Sequence, residues 1–344
     1  MSNKRIPELE QMKFLLVLNG YAYFQSLAAA CELGLFTYLS EHPAQTLETI
    51  SEHLKITPYA TRVLLLSGCA LGLLNKNETY SNTSISEKYL VSSSPDNLLP
   101  FIRQANMIQE PGCRHFFESL KAGTNLGLKA FPGSGTTLYE KIAGQPQLER
   151  VFHEGMAQFT KQTNDVLKDL KVLGKLKHLV DVGGGDGTNA IMLHKFYPDL
   201  KITVFDLPSV AEIAKKKVSQ ENLSSKIDVQ AGDIFVDSLP LNIDTVLFSH
   251  FLEIFSDEKI QQLYEKVYKA LPKNGKLISW TLSCNASETG TLQSAKSSIY
   301  FLAVASGEGM TYPAKDHEKW LRVAGFSRVR TSRKGEHALI IATK

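Results

Sequence analysis

The segment HLVDVGGGDGTNAIMLHKF, residues 178–196, constrains the fold more than any other part of the chain. A short apolar run meets a cluster of glycines, and a run with helical periodicity follows. Gly183, Gly185 and Gly187 permit positive φ and close approach of a ligand to bare backbone, and the helix N-terminus offers unpaired N–H groups. The segment therefore predicts a first parallel strand, a ligand-binding turn and the helix after it.

Further short runs rich in apolar and β-branched residues follow, and helical stretches such as VAEIAKKKV and DEKIQQLYEKVYKAL separate most of them. The runs are ITVFDL, IDVQAGDIF, TVLFSHF, KLISWTL and HALIIATK. Alternation of this kind predicts an α/β, Rossmann-like, doubly wound parallel sheet over residues 173–344. Gly335 separates the last two runs, SRVRTSRK and EHALIIATK, so the sheet is predicted to finish with an antiparallel hairpin.

The first 100 residues have helical apolar spacing, with cap signals at Thr46 and at Thr57-Pro58 and a polar hairpin pattern near residue 77. They predict a helical, winged-helix-like domain. Its candidate recognition helix, PYATRVLLLSGCALGLL, contains one cation, Arg62, and many apolar residues, which favours a dimer or interdomain interface over DNA. Residues 101–172 carry Gly and Pro breaks and predict helices and loops that join the two halves.

Composition bounds the class of protein. A chain of 344 residues with 43% hydrophobic and 21% charged residues is expected to be soluble and to have two or more domains. A net charge of +3 without a basic block predicts no nucleic-acid or membrane partner, and the lack of a signal or spanning segment predicts the cytoplasm. The four cysteines are far apart, so we expect neither disulfides nor a metal site.

Acidic residues follow the second and third predicted strands. Asp206 stands where an acid can accept hydrogen bonds from ribose hydroxyls, and Asp233 where one can accept from an adenine amino group, with Ile234 packed on the ring. Thr188 occupies the place of the third small residue of the dinucleotide fingerprint, so the spacing disfavours NAD. The alternative is that the acids cap helices and the glycines form a structural turn.

Five motifs carry a resemblance to a known family. LVDVGGGDGTNA, FDLPSV, AGDIF, LPKNGKL and FSDE resemble motifs of the plant-type O-methyltransferases, which include caffeate and hydroxyindole enzymes and bacterial natural-product relatives. The similarity extends over essentially the whole chain. It implies S-adenosylmethionine as cofactor, a class I methyltransferase domain, an N-terminal dimerisation domain and a homodimer.

The resemblance also implies site residues. FHEGMAQFT is similar to the family helix that lines the pocket roof, which assigns Thr160 to the polar tail of the cofactor. The implied substrate contacts are Phe152, Met156, Phe159 and Tyr300. The remaining implied cofactor contacts are Gly183, Gly185, Gly187, Asp206, Leu207, Asp233, Ile234 and Ser249. The alternative for the roof residues is an apolar helix stripe that serves the core.

The sequence departs from the family where the catalytic residues lie. Aryl O-methylating members have HDWSDE, whose His removes the phenol proton and is held by two Glu residues; here Glu253 takes the His position. Thr281 and Asp316 are placed at the two Glu positions by counting. The family Lys and Trp upstream are replaced by Ser249 and His250.

We therefore expect Glu253, His250, Thr281 and Asp316 to form the catalytic group. His250 shares a helical face with Glu253 if the strand ends before it. An ionised Glu, with a free pKa of ~4.3, is a poor base for a phenol of pKa ~10 unless burial raises its pKa by several units. A metal held by His250 and His317 is a minor alternative.

The leading function is methylation of a small secondary metabolite at carbon, nitrogen or an unusual oxygen. The second is a cofactor-binding enzyme of the same fold that catalyses rearrangement, cyclisation or hydroxylation without methyl transfer. The third is a winged-helix regulator, which the cofactor motifs disfavour.

Overall fold

The computed structural model describes residues 7–344, and the chain divides into two compact units after Asn106. The helices are α1 (Glu8–Leu18), α2 (Gly20–Glu32), α3 (Leu35–Glu41), α4 (Leu47–Leu54), α5 (Pro58–Ala70), α6 (Ser84–Tyr89), α7 (Leu99–Gln104), α8 (Glu110–Cys113), α9 (Phe116–Ala122), α10 (Leu138–Ile142), α11 (Pro146–Thr163), α12 (Asp165–Lys168), α13 (Thr188–Phe196), α14 (Pro208–Gln220), α15 (Asp257–Ala270), α16 (Leu292–Tyr300) and α17 (Ala314–Val323). The strands are β1 (Leu74–Lys76), β2 (Tyr80–Asn82), β3 (His178–Val182), β4 (Lys201–Asp206), β5 (Ile227–Ala231), β6 (Thr245–Ser249), β7 (Lys276–Leu282), β8 (Arg328–Lys334) and β9 (His337–Thr343). Short 3₁₀ turns span Leu126–Ala130, Leu173–Lys175 and Leu252–Ile254, and π-helical turns span Ala105–Gln109 and Phe301–Ala305.

The first unit is helical, with one small ribbon. The cap signals act as the sequence indicates, because Thr46 and Thr57 accept hydrogen bonds from backbone N–H groups at the starts of α4 and α5. β1 and β2 pair antiparallel, so a two-stranded ribbon follows the helices. Side chains from α2, α3, α4, α5 and the ribbon form its core: Ala28, Leu35, Phe36, Leu39, Ile50, Leu65, Leu74 and Tyr80.

The second unit contains a seven-stranded sheet of order β5-β4-β3-β6-β7-β9-β8. The first five of these strands are parallel, and β9 pairs antiparallel with both β7 and β8. The predicted Rossmann-like sheet and its closing hairpin are both present, and Gly335, at φ +60°, forms the tight turn of the hairpin. Residues 107–172, the greater part of the predicted linker, belong to the same compact unit as the sheet.

Apolar layers cover both faces of the sheet. On one face α15 and α17 contribute Leu263, Val267 and Leu321 to a core that includes Val180 and Val246. On the other face α13 and α14 pack Leu193 and Val218 against side chains of neighbouring strands, including Leu179, Ile202 and Trp280. The strands are therefore buried on both sides, which explains their near-continuous apolar sequences.

The strand order reverses between β3 and β6. After β3 the chain continues outward through β4 and β5, and it then returns to the other side of β3 with β6 and β7. In open sheets of this kind the crevice at such a reversal is where ligands bind. The carboxyl ends of β3, β4 and β6 meet there.

Over residues 7–344, no single helix has both the length and the apolar content to cross a membrane. α1 and α2 taken together reach both, but a bend of 66° separates them.

Candidate active site

A cavity of about 430 Å³ lies at the carboxyl ends of β3, β4 and β6. Its floor is the glycine turn after β3, one wall carries Asp206 and Asp233, and residues of α11 also line it. This is the size and position of a small-molecule site in a doubly wound sheet.

The glycine turn presents bare backbone to this cavity. Gly183 has φ +68°, and a Cβ there would lie 2.1 Å from Cδ2 of Phe251, so only glycine fits without movement. Gly185 has φ +59°, and its backbone N–H donates to Oδ2 of Asp206 at 2.8 Å. Gly187 is also left-handed, but it precedes α13 beside Val218 and is not among the described residues that line the cavity.

Asp206 is held by the backbone on both of its oxygens. Besides the bond from Gly185, its Oδ1 accepts the N–H of Leu207 at 2.7 Å. Burial raises the pKa of Asp206 to about 6, against the lowering by the two N–H donors. Asp181, one strand away, has its pKa raised to about 7 by burial, which outweighs a hydrogen bond from Asn189.

A chain of buried side-chain amides connects the two walls of the site. The amide of Asn189 donates to Oδ2 of Asp181 at 3.2 Å, and that of Asn164 donates to Oδ1 of Asn189 at 3.2 Å. Asn164 also donates to Oγ of Ser249 at 2.8 Å. Ser249, which replaces the family Lys, is thereby linked through Asn164 and Asn189 to Asp181, which lies in β3 just before the glycine turn. Asn164 was missed by sequence analysis because no motif marks it.

Carboxylates dominate the charged groups of the cavity wall. Lys259 is the one ammonium side chain among its described lining residues, and its Nζ pairs with Oε1 of Glu308 at 2.5 Å. The lining acids are Glu140, Asp181, Asp186, Asp206, Asp233 and Glu308. Such a surface suits a positively charged ligand, because opposite charges attract strongly in a partly buried site. A sulfonium cofactor with a nucleoside part fits this charge and the glycine turn.

The predicted adenine wall is also in place. Asp233 accepts the backbone N–H of Phe235 at 2.9 Å through Oδ1, and Ile234 is buried. Asp233, Ile234, Phe235 and Leu207 all line the cavity. An apolar surface beside a carboxylate offers a ring both packing and a hydrogen-bond acceptor.

α11 brings some of its predicted residues to the cavity and not others. Phe152, Met156 and Thr160 line it, whereas Phe159 does not and instead places its ring 4.8 Å from that of His250, edge to face. Tyr300 is buried in an apolar cluster and is likewise not among the described lining residues, so its predicted direct contact with substrate is not supported. Sequence analysis missed the lining residues His153, Tyr139, Lys259 and Glu308.

His250 lines the cavity in an unusual backbone conformation. It follows β6 with φ +51°, the left-handed region that few residues other than glycine adopt. Both ring nitrogens are buried and have no hydrogen-bond partner within residues 7–344. Burial, with a smaller effect of His337, lowers the pKa of His250 well below its usual value, so the imidazole is neutral.

Glu253 lies behind the cavity wall. It is in the 3₁₀ turn Leu252–Ile254 and is not one of the described side chains that line the cavity. Its Oε1 accepts the backbone N–H of Leu282 at 2.7 Å, and burial raises its pKa to about 7. The expectation of a shared helical face with His250 is wrong, because the left-handed residue and the 3₁₀ turn break the helix.

Thr281 and Asp316, the other two members of the predicted catalytic group, are both absent from the described cavity lining. Thr281 is buried in β7, and a hydrogen bond from it counteracts the raised pKa of Glu253. Asp316 is in the first turn of α17 and is absent from the described cavity lining. The alternative of a metal held by His250 and His317 gains no support. Nδ1 of His317 pairs with the hydroxyl of Tyr264 at 2.7 Å, and the rings that contact His317 are different from those that contact His250.

Comparisons with known proteins identify the family of this chain. Residues 117–327 match the O-methyltransferase domain family, and residues 15–92 match the O-methyltransferase dimerisation domain. The chain is 32% identical to L-tyrosine C(3)-methyltransferase of Streptomyces lavendulae, over 95% of this chain and 91% of that one. It is 31% identical to 3-hydroxy-5-methyl-1-naphthoate 3-O-methyltransferase of Streptomyces sahachiroi, over 90% and 87%. Among solved structures it is similar to the S-adenosylmethionine-dependent methyltransferase SibL, with 32% identity, a TM-score of 0.82 and coverage of 96% and 98%.

The doubly wound sheet, the glycine turn and the acidic, nucleoside-sized cavity define an enzyme that binds a cationic nucleoside cofactor. The chain belongs to the O-methyltransferase family. It is a methyltransferase that uses S-adenosylmethionine and acts on a small molecule.

Proposed function

We propose that the enzyme methylates a ring carbon of a phenol-type natural product. The observation that carries this proposal is which acid–base group lines the cavity. A neutral, weakly basic His250 lines it, whereas the carboxyl group of Glu253 does not and instead accepts the backbone N–H of Leu282. The relative that acts on carbon, the L-tyrosine C(3)-methyltransferase, supports the same assignment.

The cofactor binds in this proposal along the glycine turn. The backbone of Gly183 and Gly185 and the carboxylates of Asp206 and Asp233 hold it, and Thr160 contacts its polar tail. S-adenosylmethionine supplies an electrophilic methyl group. The residues of the chain orient the acceptor ring, exclude water and receive one proton.

Weak basicity at His250 favours carbon as the acceptor. When a ring carbon of a phenol gains a methyl group, that carbon still bears its hydrogen, and the ring is no longer aromatic until the proton leaves. Loss of this proton is strongly downhill, so a neutral imidazole of low pKa suffices. Removing the proton of a phenol with a pKa of ~10 needs a much stronger base. One C–H bond is thus exchanged for one C–CH₃ bond, and the released proton goes to His250.

Glu253 acts in this proposal as a positioning residue. By accepting the N–H of Leu282 it ties the turn after β6 to the end of β7. The left-handed residue His250 lies just before that turn, so the bond fixes the direction of the imidazole. Thr281 also hydrogen-bonds to the buried carboxyl group of Glu253, which partly offsets the rise in its pKa caused by burial.

Aromatic O-methylation is the second candidate. It is supported by the 31% identical relative that methylates the 3-oxygen of a hydroxynaphthoate, and by the unpaired nitrogens of His250, which can accept a hydroxyl proton. It requires an acidic hydroxyl, because the imidazole has a low pKa. The position of the methyl group in the product distinguishes the two candidates.

We also propose a homodimer. α1 contributes no buried residue, and Phe14 and Val17 on it are 65% and 80% exposed. Apolar surface of this kind is what a dimer interface covers, and the segment falls within the matched dimerisation domain from residue 15 onward. The predicted cytoplasmic location stays a prediction.

The test is a panel of phenolic acids, phenolic amino acids and hydroxynaphthoates incubated with S-adenosylmethionine whose methyl carbon is ¹³C. The NMR shift of the labelled methyl separates carbon, nitrogen and oxygen acceptors. We expect a ring-bound methyl group, and we expect His250→Phe to lower turnover about 10²-fold or more while cofactor affinity is retained. A methoxy product would replace the proposal by the second candidate, and undiminished turnover in the His250 variant would show that His250 receives the proton in neither reaction.

A further inference from the structure

Four buried ring nitrogens without a protein partner lie in one cluster beside the cavity. They are Nδ1 and Nε2 of His250, Nε1 of Trp280 and Nε2 of His337, and no group within residues 7–344 bonds them. The centres of the His250 and His337 rings are 5.0 Å apart, and those of Trp280 and His337 are 4.7 Å apart. We refer to His250, Trp280 and His337 as the polar recess.

Three neighbouring strands build the polar recess. His250 follows β6, Trp280 is in β7, and His337 begins β9, so the three rings converge at one edge of the sheet. Trp280 and His337 stack with 14° between their planes, and His250 stands at 87° to His337. The ring of Phe159 packs against both imidazoles, at 4.8 Å and 6.1 Å. Trp280 and His337 lie in paired strands, and the backbone N–H of His250 donates to the carbonyl of Trp280, so main-chain hydrogen bonds link all three segments.

The unpaired nitrogens point to a ligand. Buried polar groups are almost always hydrogen-bonded, since a buried donor without an acceptor is costly, and four such atoms in one cluster need an explanation. Trp280 is only 1% exposed, so bulk water does not reach its N–H. Of the three recess residues, His250 is the one among the described residues that line the cavity, so a ligand in the cavity meets the recess at His250.

The backbone conformation of His250 also indicates a functional site. Its N–H donates to the carbonyl of Trp280 at 2.8 Å, which holds the residue at φ +51° although it is not glycine. Strained conformations of this kind persist where the surroundings enforce them, and they concentrate at functional sites. In this conformation the imidazole lies beside the ring of His337 and also lines the cavity.

We propose that the polar recess binds an oxygen of the methyl-accepting substrate, most simply its phenol-type hydroxyl. An indole N–H only donates, and a neutral imidazole both donates and accepts, so the set suits an oxygen that receives hydrogen bonds and returns one. A metal ion suits it poorly, because Trp280 offers no lone pair. This inference rests on the proposed function and deepens it: an oxygen held in the recess leaves the neighbouring ring carbon facing the cavity.

The sequence contains two tryptophans, Trp280 and Trp320, which allows a direct measurement. Trp320→Phe leaves Trp280 as the reporter. This variant, saturated with S-adenosylhomocysteine, is titrated with 3-hydroxybenzyl alcohol and with benzyl alcohol, which differ only in the ring hydroxyl. We expect the phenol to change Trp280 emission and to bind about tenfold more tightly than benzyl alcohol, the effect of about one hydrogen bond.

Calorimetry on two recess variants completes the test. Trp280→Phe and His337→Phe should each reduce the tenfold preference for the phenol to near one, with benzyl alcohol affinity unchanged, whereas Trp320→Phe should keep the preference. If Trp280→Phe does not fold, the loss or retention of the preference in His337→Phe alone tests the proposal. Equal binding of the two probes to the wild type, or an intact preference in His337→Phe, overturns the proposal. These readouts do not depend on which atom is methylated, so failure of the proposed function is a separate result.

Discussion

In the proposed cofactor site, we expect Asp206 to make cofactor binding depend on pH. Its pKa is raised to about 6 by burial, and only the ionised carboxylate has full capacity to accept hydrogen bonds from the cofactor. Acidification through pH 6 therefore weakens cofactor binding: the affinity is high above the pKa of Asp206 and falls below it. We expect the affinity for S-adenosylhomocysteine to drop about tenfold between about pH 7.5 and about pH 5.

Calorimetry across this pH range checks the expectation. Asp206→Asn should weaken binding about tenfold at neutral pH and should flatten the pH dependence. Asp199→Asn, at an exposed position, is the matched control and should behave like the wild type. A wild-type affinity that is constant from pH 7.5 to 5 would contradict the role of Asp206.

Three glycines with nearly equal φ allow the cost of backbone strain to be measured separately from the cost of a steric collision. Gly183, Gly185 and Gly335 have φ values between +59° and +68°, so alanine costs each about 1–2 kcal/mol of strain. A Cβ at Gly183 also collides with Phe251, whereas one at Gly185 meets nothing within 4 Å and projects beside the cavity.

We predict that Gly183→Ala lowers the free energy of unfolding most. Gly185→Ala should show the strain alone and a weakened affinity for S-adenosylhomocysteine, because its methyl group occupies space beside the ligand. Gly335→Ala, in the hairpin turn, should show the strain with unchanged affinity. Denaturant unfolding and calorimetry on the three variants test this; equal stability losses at Gly183 and Gly335 would count against the steric argument.

At the scale of elements, the connection from β6 to α15 carries both His250 and Glu253, the two residues to which we assign proton transfer and positioning. Glu253→Ala leaves the N–H of Leu282 buried without an acceptor, a cost of about 1–3 kcal/mol, and releases the turn that carries His250. We expect turnover to fall about 10²-fold with cofactor affinity retained. Glu253→Gln keeps an oxygen acceptor, so most of the turnover should remain.

Single-turnover kinetics on the two Glu253 variants distinguish positioning from proton transfer. If Glu253 itself received the proton, Gln would be as damaging as Ala, since an amide is not a base at neutral pH. Equal losses in both variants would therefore refute the positioning role.

The elements were predictable where local sequence determines them. The β-branched runs of the sheet, the turn at Gly335 and the caps at Thr46 and Thr57 follow from local preferences, and the structure contains each of them. The conformation of His250 was not predictable, because its positive φ depends on a hydrogen bond to Trp280, thirty residues away in sequence.

The site was predictable only in part for the same reason. The glycine turn and the acids at strand ends follow each strand directly, so their spacing reveals them. Asn164, Lys259 and Glu308 reach the site through tertiary packing from separate segments, and no motif marks them. Counting from family motifs placed Asp316 beside the catalytic group, yet it lies in the first turn of α17 away from the described cavity lining.

At the scale of the whole molecule, we predict a homodimer of about twice 38.2 kDa. Phe14→Asp combined with Val17→Asp should give monomers, because two charges then lie on the exposed apolar helix α1. Leu241→Asp, at an 84% exposed position of the second unit, is the matched control and should leave the dimer intact. Light scattering at micromolar concentration measures both, and a wild-type mass near 38.2 kDa would contradict the prediction.

We propose that the methyl group goes to a ring carbon while His250 receives the displaced proton. The most direct measurement uses a phenolic substrate from the panel with every ring hydrogen replaced by deuterium, and mass spectrometry of the methylated product. Methylation at carbon expels one deuteron, so we expect a product with one ring deuterium fewer than the substrate. A product that retains every ring deuterium shows methylation outside the ring and contradicts the proposal.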